Sequence, residues 1–70
     1  MSLPVTSGGE LVRFLVKQGF VIKRQRGSHV ILKHNDKRST SVPLHNELDR
    51  GTLRGILIQV NELEHFIEQM

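Results

Sequence analysis

The side chains of this 70-residue chain that can take up and release a proton near neutral pH are four histidines, His29, His34, His45 and His65. No cysteine accompanies them and no two are spaced His-x-x-x-His, so they make a poor zinc set. His29 is distinguished by its surroundings. It follows Lys23-Arg24-Gln25-Arg26-Gly27-Ser28 and precedes Val30-Ile31-Leu32-Lys33. An imidazole suits general acid or general base work. Cationic side chains beside it suit phosphate contact and the stabilisation of developing negative charge. Lys23, Arg26 and Lys33 are the nearest candidates for that. Gly27 lets the backbone take a positive φ and approach a phosphate closely, and the Ser28 hydroxyl can donate to one. The same two residues also suit an ordinary hairpin turn. His34 falls in a polar loop and is expected to face solvent. His45, after Val42-Pro43-Leu44, can line a site or fix its loop, and the structural role is favoured. His65 lies in an acidic tail and carries no assignable role.

Charge points the same way as the neighbours of His29. Before residue 61 the chain holds all ten Lys and Arg against four acids, a net +6; the last ten residues hold three Glu and no Lys or Arg. A basic body with an acidic tail suits a polyanionic partner. Without cysteine there are no disulfides, which suits a reducing compartment. No apolar run approaches the roughly 20 residues of a membrane helix, and the first nine residues show no basic start leading into an apolar stretch. The expectation is one small cytoplasmic domain over 1–70, with no membrane association.

The elements that must position His29 follow from patterning. Thr6 or Ser7 caps a helix over about 8–18, with Glu10 at its positive end. Leu11, Phe14, Leu15 and Gln18 follow helical spacing, Val12 and Val16 widen the apolar face, and Gly19 is the left-handed stop. Three strands come next, Phe20–Gln25, Ser28–Lys33 and Arg38–Val42, joined by an Arg26-Gly27 turn and a His34–Lys37 loop, with Pro43 ending the third. Asp49 caps a second helix carrying Leu53, Ile56, Leu57 and Val60. Gly55 within it costs up to about 1 kcal/mol relative to Ala and permits close packing on the sheet. Asn61 stops that helix, and Glu62–Met70 forms a short final helix with Leu63, Phe66 and Ile67.

The order is therefore α-β-β-β-α plus a tail, an α+β fold. Three antiparallel strands have two faces, and two short amphipathic helices cover one. Alternation sends Val30 and Leu32 into the covered core and leaves His29, Ile31 and Lys33 on the open face. Lys23 or Arg24, together with Arg38, would surround the imidazole there, according to register.

Several blocks, taken in order, resemble a known family. Gly19-Phe20 at a helix end leads to Arg24-Gln25-Arg26-Gly27-Ser28-His29, then to Ser41-Val42-Pro43-Leu44-His45, then to Arg50-Gly51-Thr52-Leu53-Arg54-Gly55-Ile56-Leu57. Over about residues 8–60 this is similar to the HicA/YcfA-like toxins of toxin–antitoxin pairs; the 61–70 tail matches poorly. The resemblance implies a fold like the double-stranded-RNA-binding domain, with a three-stranded antiparallel sheet and helices on one face. It implies an mRNA-cleaving endoribonuclease that needs no metal or other cofactor, and a HicB-like antitoxin as partner. It also implies that His29 is the catalytic residue. Cleavage without metal uses the RNA's own 2′-hydroxyl as nucleophile, with a base to remove its proton and an acid to protonate the leaving oxygen. The RNA-contacting residues would be Lys23, Arg24, Arg26, Gly27, Ser28, Lys33 and Arg38. A single histidine would make a slow nuclease, since acid–base help is worth about 10²–10⁴-fold.

Two other readings suit the same residues. One is a non-catalytic domain that reads the shape of structured RNA through phosphates and 2′-hydroxyls. Single-strand stacking is disfavoured, because only Phe20 could offer an aromatic to the open face. The other is a protein-interaction module that uses the open face, Ile31 included.

Overall fold

Ser7 starts the first helix by a reciprocal cap. Its Oγ accepts from the Glu10 amide at 3.0 Å, and its own amide donates to Glu10 Oε1 at 2.9 Å. In the computed structural model, which describes residues 3–69, this helix is α1 (Gly8–Lys17). Met1 and Ser2, within the segment read as lacking a leader, and Met70, the expected end of the tail helix, lie outside the described residues. Leu11, Val12, Phe14 and Leu15 are buried, whereas Val16 is 46 % exposed and does not widen the apolar face as expected. Gly19, at φ +98°, ends the helix.

Three strands follow, β1 (Val21–Arg26), β2 (His29–Lys33) and β3 (Ser39–Pro43), forming an antiparallel sheet in that spatial order. Each runs one residue later than expected at one end or both. The β1–β2 turn is Gly27-Ser28, not Arg26-Gly27, so Arg26 belongs to the ladder. Phe20 precedes β1 and is 2 % exposed, held in the core by the chain reversal after α1. The connection to α2 (Arg50–Gln59) is fastened to the N-terminal segment: the Leu48 amide donates to Thr6 O and the Gly8 amide to His45 O, at 2.8 and 2.9 Å. Asp49 caps α2 through the Thr52 amide at 2.8 Å. Asn61, at φ +56°, ends it, and α3 (Leu63–Glu68) packs Leu63, Phe66 and Ile67 on the core.

The core lies between the helices and one sheet face. Val30, Leu32 and Val42 meet Leu11, Leu15, Leu53, Leu57 and Val60, all nearly or fully inaccessible to solvent. Buried Thr40 joins them by donating to Gln59 Oε1 of α2 at 3.0 Å. Leu3 and Leu48, from segments without periodicity, also enter the core. The arrangement is the α+β fold expected, with the helices on one face of an open three-stranded sheet and α3 appended.

Glycine packing differs from expectation. Gly55 is exposed, and a Cβ there would meet nothing within 4 Å, so it makes no close approach to the sheet. The close approach is at Gly8, where a Cβ would lie 2.0 Å from Pro43 O. The first turn of α1 rests directly on the end of β3.

Candidate active site

β2 carries the face. Its burial alternates, with His29 and Lys33 exposed, Ile31 half-buried, and Val30 and Leu32 in the core. Antiparallel register then assigns the neighbours, because directly paired residues share a face. On the β3 side Pro43, Ser41 and Ser39 stand opposite His29, Ile31 and Lys33. On the β1 side Arg26 stands opposite His29, Arg24 opposite Ile31 and Val21 opposite Lys33. The Arg26 guanidinium is thus rooted directly across from the imidazole, the paired Cα atoms lying about 4.5–5.5 Å apart as in any antiparallel ladder.

Simple alternation would send Lys23 and Arg24 to opposite faces. The register instead shifts between Ile22 and Arg24, leaving Lys23 as the extra residue of a bulge. As a result Lys23 and Arg24 both line a shallow depression with Ile31 and Lys33. Gly27, at φ +56°, makes the turn that leads into His29, and its missing Cβ leaves open space above the backbone. The Gln25 side-chain amide donates to Gly27 O at 3.1 Å, bracing the turn. At the other end of the turn Ser28 O accepts from the Leu44 amide at 2.6 Å, which ties the segment before His29 to the exit of β3. Among the described residues no carboxylate lies within salt-bridge distance of Lys23, Arg24, Arg26 or Lys33. The cationic groups of this face are therefore available to an anion. An exposed imidazole in such a setting has the side-chain chemistry of a general acid or base.

The family model describing the HicA toxin of bacterial toxin–antitoxin pairs matches residues 8–61. The chain belongs to the HicA toxin family. No curated protein matches it. The match begins at the first residue of α1 and ends at the left-handed Asn61, so it spans the sheet, both long helices and the whole His29 face. Helix α3 lies beyond it. As a HicA-family toxin, the protein is one half of a toxin–antitoxin pair, and its counterpart is an antitoxin. No helix of the described residues is long and apolar enough to cross a membrane.

One of the expected site residues is not on the toxin's open face. Arg38 precedes β3 in phase with Thr40 and Val42, and so points to the helix side. There it donates to Val60 O and to Glu62 Oε2 (2.7 Å), pairs with Asp36 Oδ2 at 2.8 Å, and lies 5.0 Å from the Phe20 ring centroid. It closes the hairpin onto the end of α2, and its guanidinium is committed to those partners. His34 also departs from expectation. It is not solvent-facing but largely buried, with Nε2 3.1 Å from Gln18 O and its ring edge-on to Phe20. His45 is exposed, and its carbonyl holds the start of α1. His65 Nδ1 is 2.6 Å from Glu62 Oε1. That carboxylate raises the His65 pKa above its ordinary value. For Glu62, burial pushes the pKa up, but hydrogen bonds from His65 and Arg38 outweigh burial and leave it lowered.

Two residues of the face were missed from sequence. Ser39 and Ser41 place hydroxyls beside Lys33 and Ile31. Their alternation with Thr40 and Val42 was the available signal. Among the described residues no group of three His, Asp or Glu side chains is arranged to hold a metal ion.

Proposed function

We propose that this HicA-family toxin is an endoribonuclease, an mRNA interferase that binds RNA across the open sheet face and cuts it without a metal ion. The observation that carries the reading is the exposed His29 directly opposite Arg26, on a face that also gathers Lys23, Arg24 and Lys33. In this reading neutral His29 takes the proton of a ribose 2′-hydroxyl as its oxygen attacks the adjacent phosphorus. The bond to the 5′-oxygen breaks, and that oxygen takes up a proton, from the imidazolium or from water. The products are a 2′,3′-cyclic phosphate and a free 5′-hydroxyl. Arg26 and its cationic neighbours stabilise the added negative charge of the transition state, Gly27 allows close approach of the phosphate, and Ser28 donates to it. A HicB-like antitoxin neutralises the toxin by covering the His29 face, and the pair acts in the cytoplasm.

Expression of the wild type should arrest growth and degrade mRNA, while His29→Ala should be folded and harmless, with cleavage reduced by about 10²–10⁴-fold. Full toxicity and normal cleavage by His29→Ala would refute the assignment. Cleavage should also persist in EDTA, and a strict need for a divalent ion would refute the metal-free route.

A second reading has its own observation. Val21 and Ile22 at the start of β1 are 55 % and 51 % exposed, on a strand the helices do not cover, which favours protein contact at that edge. Under that reading alone the protein binds no RNA.

A further inference from the structure

The bulge in β1 brings two cations of that strand beside a third on β2, next to the His29 position. Lys23 and Arg24 are adjacent in sequence and would diverge on a regular strand. With the extra residue they line one shallow depression of about 430 Å³ together with Lys33 and Ile31. Three cations from two strands therefore converge above an apolar, half-buried floor. Among the described residues none of the three is neutralised by a carboxylate. The fork of Arg24 suits two oxygens of one phosphate, and the lysines act as point charges beside it. In a nucleic-acid strand such phosphates recur at every nucleotide, so one cup can act together with the phosphate held at His29.

The depression has a set place relative to His29. Ile31, opposite Arg24, lies two residues along β2, a step of about 6.6–6.8 Å. That is the reach of one extended nucleotide. We infer that Lys23, Arg24 and Lys33 form a cup, floored by Ile31, for the backbone phosphate next to the one held at His29, with the intervening ribose between the two. This rests on the proposed RNA cleavage and deepens it. The ligand is a strand with at least two consecutive phosphates running along β2, its nucleotides unpaired at the cut so that the chain can extend.

The test uses NMR amide shifts of the whole chain with two probes. Inorganic phosphate should shift the amides of Lys23, Arg24, Ile31 and Lys33. A 2′-O-methylated trinucleotide with two phosphates cannot be cut, and it should bind more tightly than the corresponding dinucleotide with one. In Lys23→Gln/Arg24→Gln, whose exposed positions leave the fold intact, the phosphate affinity should fall roughly tenfold. The advantage of the trinucleotide should vanish in the same variant. Phosphate shifts confined to other residues, equal affinity for the two oligonucleotides, or undiminished binding by the variant would overturn the cup. Acetate binding as tightly as phosphate would assign the depression to a partner's carboxylate and overturn it too. A protein that cuts RNA yet shows none of these shifts loses the cup and keeps the nuclease. One that binds as described yet leaves RNA intact keeps the cup and loses the nuclease.

Discussion

A glycine can be required for space or merely tolerated, and this chain holds one of each. Gly8 sits where α1 meets the end of β3, and a Cβ would lie 2.0 Å from Pro43 O, a backbone atom that cannot rotate aside. Gly8→Ala should destabilise the fold by about 1–3 kcal/mol, the usual cost of forcing atoms into a packed contact. Gly55 has open space around its Cβ position and lies inside α2. Gly55→Ala should stabilise by about 0.5–1 kcal/mol, because alanine has the higher helix propensity. Denaturant titration of both variants tests the pair, and a neutral Gly8→Ala would show that α1 can lift from Pro43 at no cost. Sequence patterning pointed to the wrong glycine here. A glycine inside a helical pattern is conspicuous, whereas a contact between the start of a helix and a strand 35 residues away leaves no periodic mark.

At the scale of elements, α3 is attached by a polar cluster that crosses the fold. Arg38 before β3 reaches Glu62 ahead of α3 and Val60 at the end of α2, while Phe66 of α3 stacks edge-on against Phe14 of α1 with ring centroids 5.1 Å apart. Arg38→Met should loosen α3 and cost about 1–3 kcal/mol, because it leaves the largely buried Glu62 carboxylate without its permanently charged partner. The attachment should also depend on pH. The folded pKa of His65 is raised, so its contribution is complete below its ordinary value of 6.5 and is lost as pH rises through the folded value. The folded pKa of Glu62 is lowered, so its contribution is complete above its ordinary 4.5 and is lost as pH falls through the folded value. Around these two groups stand Arg38 and Asp36 from the β2–β3 hairpin and Glu64 and Glu68 on α3, all contributing charge. Hydrogen exchange at residues 63–69 should therefore be slowest between about pH 4.5 and 6.5, after correction for intrinsic exchange. Protection that rises steadily above pH 7 would contradict the His65–Glu62 link.

Across the whole molecule, charge is divided between a basic body and an acidic tail, and the cations of the open face lack carboxylate partners among the described residues. RNA affinity should accordingly fall steeply with added salt, and replacing any one of Lys23, Arg24 or Lys33 by Gln should reduce the slope of log affinity against log salt by roughly 0.7–0.9. Fluorescence anisotropy at several salt concentrations measures this; a salt-independent affinity would point to the protein-contact reading instead. The sequence by itself determined the order of the elements, a first cap at Thr6 or Ser7 and a second at Asp49, the stops at Gly19 and Asn61, and the exposure of His29 opposite a core of Val30 and Leu32. Each of these follows from local chemistry or from a period of 3.6 or 2 within one segment. Tertiary structure alone decided which cations join His29. The bulge at Lys23 brought both Lys23 and Arg24 to the open face, and the phase of β3 turned Arg38 away to Glu62. Both outcomes depend on pairing between strands, and a one-residue shift in that pairing exchanges the faces of a strand.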